Sequence, residues 1–357
     1  MNPIEKLINK KKFIPLNQFI NIALYHKKFG YYKNNKIFGR DGDFITSPMI
    51  SSIFSEMISI WIVSYWIYIK KPKKINILEL GPGTGLMIKQ IINSIQKIKT
   101  FDATFTIYLH EKSENLIKVQ KYNLRDFKNI IWIKNINKIN QDTTIILANE
   151  FFDAFPIKQF YKENNNWFEQ CIAFKNGNKK KITYYKNKIN NNSIKKYSKF
   201  YNIHKSEIIE YPIKIETYLN SISKIIKKNN GIFLMFDYGY CNAIGKNTIR
   251  AIKKHRVVDL LKEYNDCDIT FDINFNILKS IFKKNNIQNI GIVTQNFFLQ
   301  KLGIMERADQ IIKKQDLITS KDLILSINKL VNPKEMGEAF YALAFSNKNC
   351  KFNLGFI

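Results

Sequence analysis

Ile77-Leu78-Glu79-Leu80-Gly81-Pro82-Gly83-Thr84-Gly85 decides the fold class. A buried-looking β-branched run ends in three alternate glycines and passes into the helix-like run Leu86, Ile88, Gln90, Ile91 and Ile92. Glycines at such a strand-to-helix turn let the backbone reverse sharply and approach a ligand, and the following helix offers unpaired N–H groups. A dinucleotide fingerprint would read G-x-G-x-x-G, whereas here the third glycine comes one residue early. Taken alone, such a stretch is weak evidence, an ordinary tight turn being the alternative.

Outward from this turn, short β-branched runs alternate with helical stretches. Strands are expected at Ile75–Leu80, Phe105–His110, Ile130–Ile133, Thr144–Ala148 and Ile232–Phe236, then at Ile292–Gln295 and Tyr341–Phe345. Strands separated by helices predict right-handed crossovers and an α/β fold with a mostly parallel sheet. The rhythm breaks at about 157–213, where Lys/Asn runs (Asn178 to Lys181, Asn190 to Lys196) alternate with strand-like pieces at Trp167–Phe174 and Ile182–Tyr185. We read this region as an inserted subdomain, its polar runs as solvated loops. Residues 1–70 read as an N-terminal helical extension with a loop at Phe38 to Thr46, leaving 71–357 as the main domain. Ser47 is the expected N-cap of the next helix and Pro48 its first residue. Met49 to Ile69 sets Ser51, Ser52, Ser55, Ser59 and Glu56 beside an apolar stripe, as in an amphipathic helix docked on a core.

Composition narrows the class further. The 357 residues suggest about two domains, or one with an insertion. At 45% hydrophobic and 24% charged, the chain is neither disordered, collagen-like nor a disulfide-stapled miniprotein. Lys and Arg number 57 against 29 acidic residues, a net charge of +28, which usually points to an anionic partner. Yet the arginines are only Arg40, Arg125, Arg250, Arg256 and Arg307, and the chain is saturated with Lys, Asn, Ile, Tyr and Phe. These residues share AT-rich codons, so mutational bias accounts for the charge, and a nucleic-acid groove would favour Arg. No specific nucleic-acid partner is therefore expected. Cys171, Cys241, Cys267 and Cys350 form no C-x-x-C pair, which suits a reducing compartment and gives no metal site. Pro15, Asn17, Gln18 and Asn21 interrupt the first apolar stretch, so a cytoplasmic chain without signal peptide or membrane span is expected.

The chemistry should lie at the C-terminal ends of the strands. Glu111 closes the second strand, where a carboxylate can accept both ribose hydroxyls of a nucleoside; its plainer role is to start the helix near Ser113. Ala148-Asn149-Glu150-Phe151-Phe152-Asp153-Ala154-Phe155-Pro156 follows the fourth strand. Glu150 and Asp153 either cap a turn there or bind a cationic acceptor beside aromatics that exclude water. If the acceptor is a guanidinium, its pKa above about 12 keeps it protonated, and carboxylates must bind it and favour proton loss. Gly42 to Pro48 either folds over a cofactor as a lid or is a capped helix entry. Asp237-Tyr238-Gly239, Thr248, Arg250 and His255 are weaker candidates.

The acidic-x-G-x-G-x-G form of the turn resembles motif I of class I S-adenosylmethionine-dependent methyltransferases. Gly30-Tyr31-Tyr32, Gly42 to Pro48, Glu79 to Gly85, Ala148 to Pro156, Asp237 to Gly239, Thr248 to His255 and Thr294-Gln295 together resemble the MidA-like methyltransferases, in order, over about residues 15–345. That bacterial and mitochondrial family includes the arginine methyltransferase that assists respiratory complex I assembly. The resemblance implies a class I, Rossmann-like fold and S-adenosyl-L-methionine as cofactor, held by Gly81, Gly83, Gly85, Glu111, Thr46, Ser47 and Pro48. It also implies a protein arginine acceptor, dimethylated symmetrically in the mitochondrial member, with Glu150 and Asp153 as catalytic residues. The alternative is a non-catalytic assembly factor that binds a respiratory-complex or other protein partner. A nucleic-acid methyltransferase is disfavoured, because Asn149-Glu150-Phe151-Phe152 is not an N/D-P-P-Y-type motif. Three residues depart from the family: Thr84 for a common arginine, Met49 for glutamate and Asn247 for aspartate.

Overall fold

The computed structural model describes residues 2–33, 45–175, 178–201, 207–241 and 245–357, without the side chains of 178–180. The chain forms two compact units: Ile45–Phe151, Leu219–Gly239 and Ile281–Ile357 make one, and Met1–Phe44, Phe152–Tyr218 and Tyr240–Ser280 the other. The expected extension at 1–70 is thus shared between both units, and the inserted region is joined by segments from either side of it in sequence.

The first unit carries the sheet that the glycine turn announced. Its strands are β1 (Lys74–Leu80), β2 (Thr104–His110), β3 (Ile130–Ile133), β4 (Thr143–Asn149), β5 (Ile232–Tyr240), β6 (Ile287–Thr294) and β7 (Phe340–Asn347). These strands run in the order β3-β2-β1-β4-β5-β7-β6. The first five are parallel, and β7 is antiparallel to both β5 and β6. The register sets Leu80 level with His110 and Ala148, so β1, β2 and β4 end at one edge.

The helix Ser52–Tyr68 packs on this sheet together with Leu86–Ile95. Phe54, Ile58, Trp61, Ile62 and Trp66 are buried in one core with Ile77, Ile88, Ile91, Leu147 and Leu234. Burial of such aromatics is the largest single contribution each side chain can make. The serine row does not form the polar face expected of it. Ser55 and Ser59 are fully buried, Ser55 donating to Gln90 Oε1 at 2.7 Å and Ser59 to the Ser55 carbonyl at 2.7 Å. A hydroxyl that bonds within its own turn needs no water, which lets the helix sink deeper than its polarity pattern suggests. Glu56 meets Arg307 at 2.6 Å. Among the described residues no helix is long and apolar enough to cross a membrane.

In the second unit, Ile157–Glu163, Asn166–Lys175, Asn178–Ile189, Ile208–Pro212 and Phe13–Pro15 form an antiparallel sheet. Asn164 and Asn165, both at positive φ (46° and 64°), make the two-residue turn between the first two of these strands. The polar runs are not loops: Asn178 to Lys181 opens a strand, and Asn190 caps the helix Asn191–Ser198. A smaller sheet pairs Arg256–Val258, Arg250–Lys253 and Asp268–Thr270. His255 is an exposed turn residue of that sheet, with φ of 61°.

Candidate active site

Gly81, Gly83 and Gly85 all take left-handed backbone, at φ of 65°, 55° and 80°. Glycine adopts this conformation freely, whereas a side chain at these positions would strain the turn. The Gly81 N–H donates to the His110 carbonyl at 3.1 Å, and Gly85 N–H to the Pro82 carbonyl at 2.7 Å. Gly85 is also the N-cap of Leu86–Ile95, leaving that helix's first N–H groups aimed at the loop. A Cβ on Gly81 would lie 2.7 Å from the Phe151 ring, so the turn and the end of β4 exclude any larger residue.

Glu111 leaves β2 at the same edge. Its Oε1 accepts from the N–H groups of Lys112 (2.7 Å) and Ser113 (2.8 Å), and its Oε2 from Gln120 Nε2 (3.3 Å). Burial pushes this carboxyl above its usual range, and those donors pull it back down. A carboxylate accepts about four bonds, so capacity remains for a ligand's hydroxyls. The neighbouring His110 is held neutral, its pKa lowered to about 4 by burial, with Nδ1 3.1 Å from the Ile133 carbonyl.

Of the segment Gly42 to Pro48, residues 42–44 lie outside the described residues. Ser47 is not the expected N-cap: it begins a short helix, Ser47–Ile50, whose N-cap position is Thr46. Pro48 needs no N–H partner there, and the extended Ser51 (φ −152°, ψ 136°) breaks the chain before capping Ser52–Tyr68 through a bond from Ile53 N–H. Ser47 and Pro48 are buried. Ser47 Oγ donates to Gln295 Oε1 at 3.3 Å, Gln295 Nε2 donates to the Leu330 carbonyl at 2.9 Å, and Gln90 Nε2 to the Pro48 carbonyl at 3.1 Å. The segment is therefore tied to the helix that the glycine turn opens and to the residue that follows β6.

Glu150 sits at the end of β4 with φ of 50°, its N–H on the Phe236 carbonyl at 2.9 Å and its Oε1 accepting from Asn149 Nδ2 at 3.1 Å. Left-handed backbone in a glutamate costs energy and is met most often where a side chain must be aimed. The division between units falls between Phe151 and Phe152, so Glu150 belongs to the sheet unit and Asp153 to the other. Asp153 is buried there. In the same unit Tyr32 donates to both carboxylate oxygens of Asp268 (3.1 and 3.2 Å) and stacks on Tyr25 at 5.3 Å. Burial and the charges of Asp268 and Asp153 hold the Tyr32 hydroxyl well above its ordinary pKa. Among the weaker candidates, Thr248 bonds Glu210 and receives Asp272 N–H at 2.9 Å. Asn247 Oδ1 accepts from Gln159 (2.9 Å) and Ile249 (3.2 Å), keeping the acceptor its aspartate counterpart would supply.

Gln90, Gln120, Gln295 and Tyr32 were not among the residues singled out from the sequence as site residues. Gln120 had a legible signal, since Leu116, Gln120 and Leu124 share one helix face. A glutamine between two leucines on a buried face needs partners.

A cationic nucleoside cofactor suits this set. Glu79, 2% exposed, has a buried Oε2 without a hydrogen-bond partner beside the loop, and burial with the charge of Glu111 lifts its pKa to about 8. Such an oxygen is stabilised by a ligand that brings a donor or positive charge, as the methionine part of S-adenosylmethionine does.

Known proteins agree with this reading. The profile of a family described as "S-adenosyl-L-methionine-dependent methyltransferase" matches residues 57–293, about two thirds of the chain. The Caenorhabditis elegans "Protein arginine methyltransferase NDUFAF7 homolog, mitochondrial" is 30% identical over 98% of this chain and 89% of its own. The Drosophila melanogaster homolog of the same name is 29% identical over 93% of this chain and 81% of its own. A Burkholderia thailandensis protein solved with S-adenosyl-homocysteine shares the fold, with a TM-score of 0.83 at 18% identity over 98% of this chain and 92% of that one. The chain belongs to this family of S-adenosyl-L-methionine-dependent methyltransferases.

Proposed function

We propose that this methyltransferase modifies an arginine side chain of a protein partner, adding two methyl groups symmetrically, and that the partner is a respiratory-complex subunit. The names of the worm and fly relatives support the arginine acceptor. The observation that carries the proposal is Glu150, held in left-handed backbone at the sheet edge where the glycine loop also begins. The cofactor, when bound, supplies a methyl carbon on a sulfonium. Gly81, Gly83 and Gly85 would let its amino-acid part approach the backbone, Glu111 would accept its ribose hydroxyls, and the Thr46–Pro48 segment would wall the site. Glu150 would bind the guanidinium through charge-assisted bonds, fix one nitrogen in line, and take up the proton that nitrogen loses, and Asp153 is the second carboxylate to which we assign a catalytic role. A cytoplasmic setting fits the four cysteines, all free.

Two variants test the reading. Gly83→Val should remain folded and lose calorimetrically measured S-adenosylmethionine binding, because a β-branched residue resists a φ of 55°. Glu150→Gln should bind the cofactor like the parent while methyl transfer to arginine-bearing protein falls about 10²–10⁴-fold. Full transfer by Glu150→Gln would remove the carboxylate from the mechanism. Cofactor binding with no transfer to any arginine by the parent would favour an assembly factor.

A further inference from the structure

We propose that Gln120 is a positioning residue of the cofactor site, joining the glycine loop to Glu111 so that both act on the ligand as one unit. The inference rests on the reading that Glu111 holds the ribose. Gln120 lies in the helix Glu114–Asn123, capped by Ser113, and its side chain is fully buried. Its Nε2 donates to the Gly83 carbonyl at 2.8 Å and to Glu111 Oε2 at 3.3 Å. Its Oε1 accepts from Trp132 Nε1 at 2.9 Å. An indole only donates, so Trp132 fixes which way the amide points: oxygen toward the ring, both N–H bonds toward the loop and the carboxylate.

One turn on, Asn123 Nδ2 donates to the Thr84 carbonyl at 2.9 Å, so a single helix grips two successive carbonyls of the turn. Glu111 Oε1 is occupied by two backbone N–H groups, which leaves Oε2 as the oxygen with more room, and that is the oxygen Gln120 aims. A hydrocarbon at 120 would fill the space. It would leave the Gly83 carbonyl and Oε2 without their donor, and the carboxylate would turn.

The test uses Gln120→Met and Trp132→Phe in the full chain. Calorimetric dissociation constants are measured for S-adenosylhomocysteine and its 2′-deoxy analogue, which lacks one ribose hydroxyl, with thermal melting as the check on folding. The parent should prefer the ribose form. Gln120→Met should lose about 10- to 100-fold in affinity for S-adenosylhomocysteine and much less for the deoxy analogue, so that the preference collapses. Trp132→Phe should reduce the preference for the ribose form in the same sense, by less. Equal loss for both ligands would show general loosening and overturn the inference, as would an unchanged preference in folded Gln120→Met. Should that variant not fold, Trp132→Phe decides: a reduced preference supports the inference and an unchanged one overturns it. A parent without any preference would instead overturn the Glu111–ribose reading on which the inference rests.

Discussion

Glu79 holds its proton across the neutral range, and that proton opposes two demands on the protein. Burial first, then the charge of Glu111, raises its pKa from 4.5 to about 8. A raised carboxyl favours folding fully below the unfolded value, and that favour is lost as pH rises from about 4.5 through about 8. Glu79→Gln removes the ionisation, so the variant without cofactor should melt higher than the parent at pH 8 and close to it at pH 5. The same variant should bind S-adenosylmethionine more weakly, because the oxygen left open for a cationic ligand is gone. A melting difference independent of pH would refute the assignment. The glycines and Glu111 were readable because a turn and a strand end restrict residue type locally. For Gln120 the burial was legible in its helix face but the role was not, because its three partners come from three separate segments.

The element that departs furthest from sequence expectation is the short helix Ser47–Ile50. Local signals placed one cap at Ser47, whereas the chain starts twice, with Thr46 at the first N-cap position and Ser51 at the second. What decides this is Gln295, fully buried, which receives Ser47 Oγ and reaches the Leu330 carbonyl. A contact 248 residues away leaves no trace in periodicity. Gln295→Ala strands both groups and should lower unfolding free energy by about 1–3 kcal/mol in urea titrations, with a measurable loss of cofactor affinity. If stability falls and affinity holds, the segment has no part in the cofactor site. The strands fared better: all seven expected strands recur, the five parallel ones because buried parallel strands are rich in β-branched residues, whereas the antiparallel Ile287–Thr294 begins five residues before the expected Ile292.

For the molecule as a whole, a net charge of +28 sets self-repulsion against compaction. Salt screens exposed charges beyond about 8 Å at physiological strength. The melting temperature should therefore rise between 50 and 300 mM sodium chloride, and binding to DNA, if measured at all, should fall steeply over the same range. A melting point that falls with salt would mean that favourable ion pairs outweigh the repulsion. Compactness groups segments that lie far apart in the sequence. The inserted region stood out by composition, but Phe13–Pro15 is a three-residue strand whose register against Cys171–Ala173 no local pattern announces.

The left-handed positions carry one further consequence. At the cofactor turn they are glycines, yet at Lys12, Lys70, Lys71, Asn129, Asn164, Asn165, Asn230, Asn286 and Asn349 the chain bends the same way with residues that bear a Cβ. Lysine there costs about 1–2 kcal/mol against glycine, and asparagine less. Asparagine and lysine thus stand at turns where the cost falls on stability, while the turn of the cofactor site is built of glycine. Each such turn subtracts from the stability of the fold without touching the ligand, a cost that glycine at the same position would not carry.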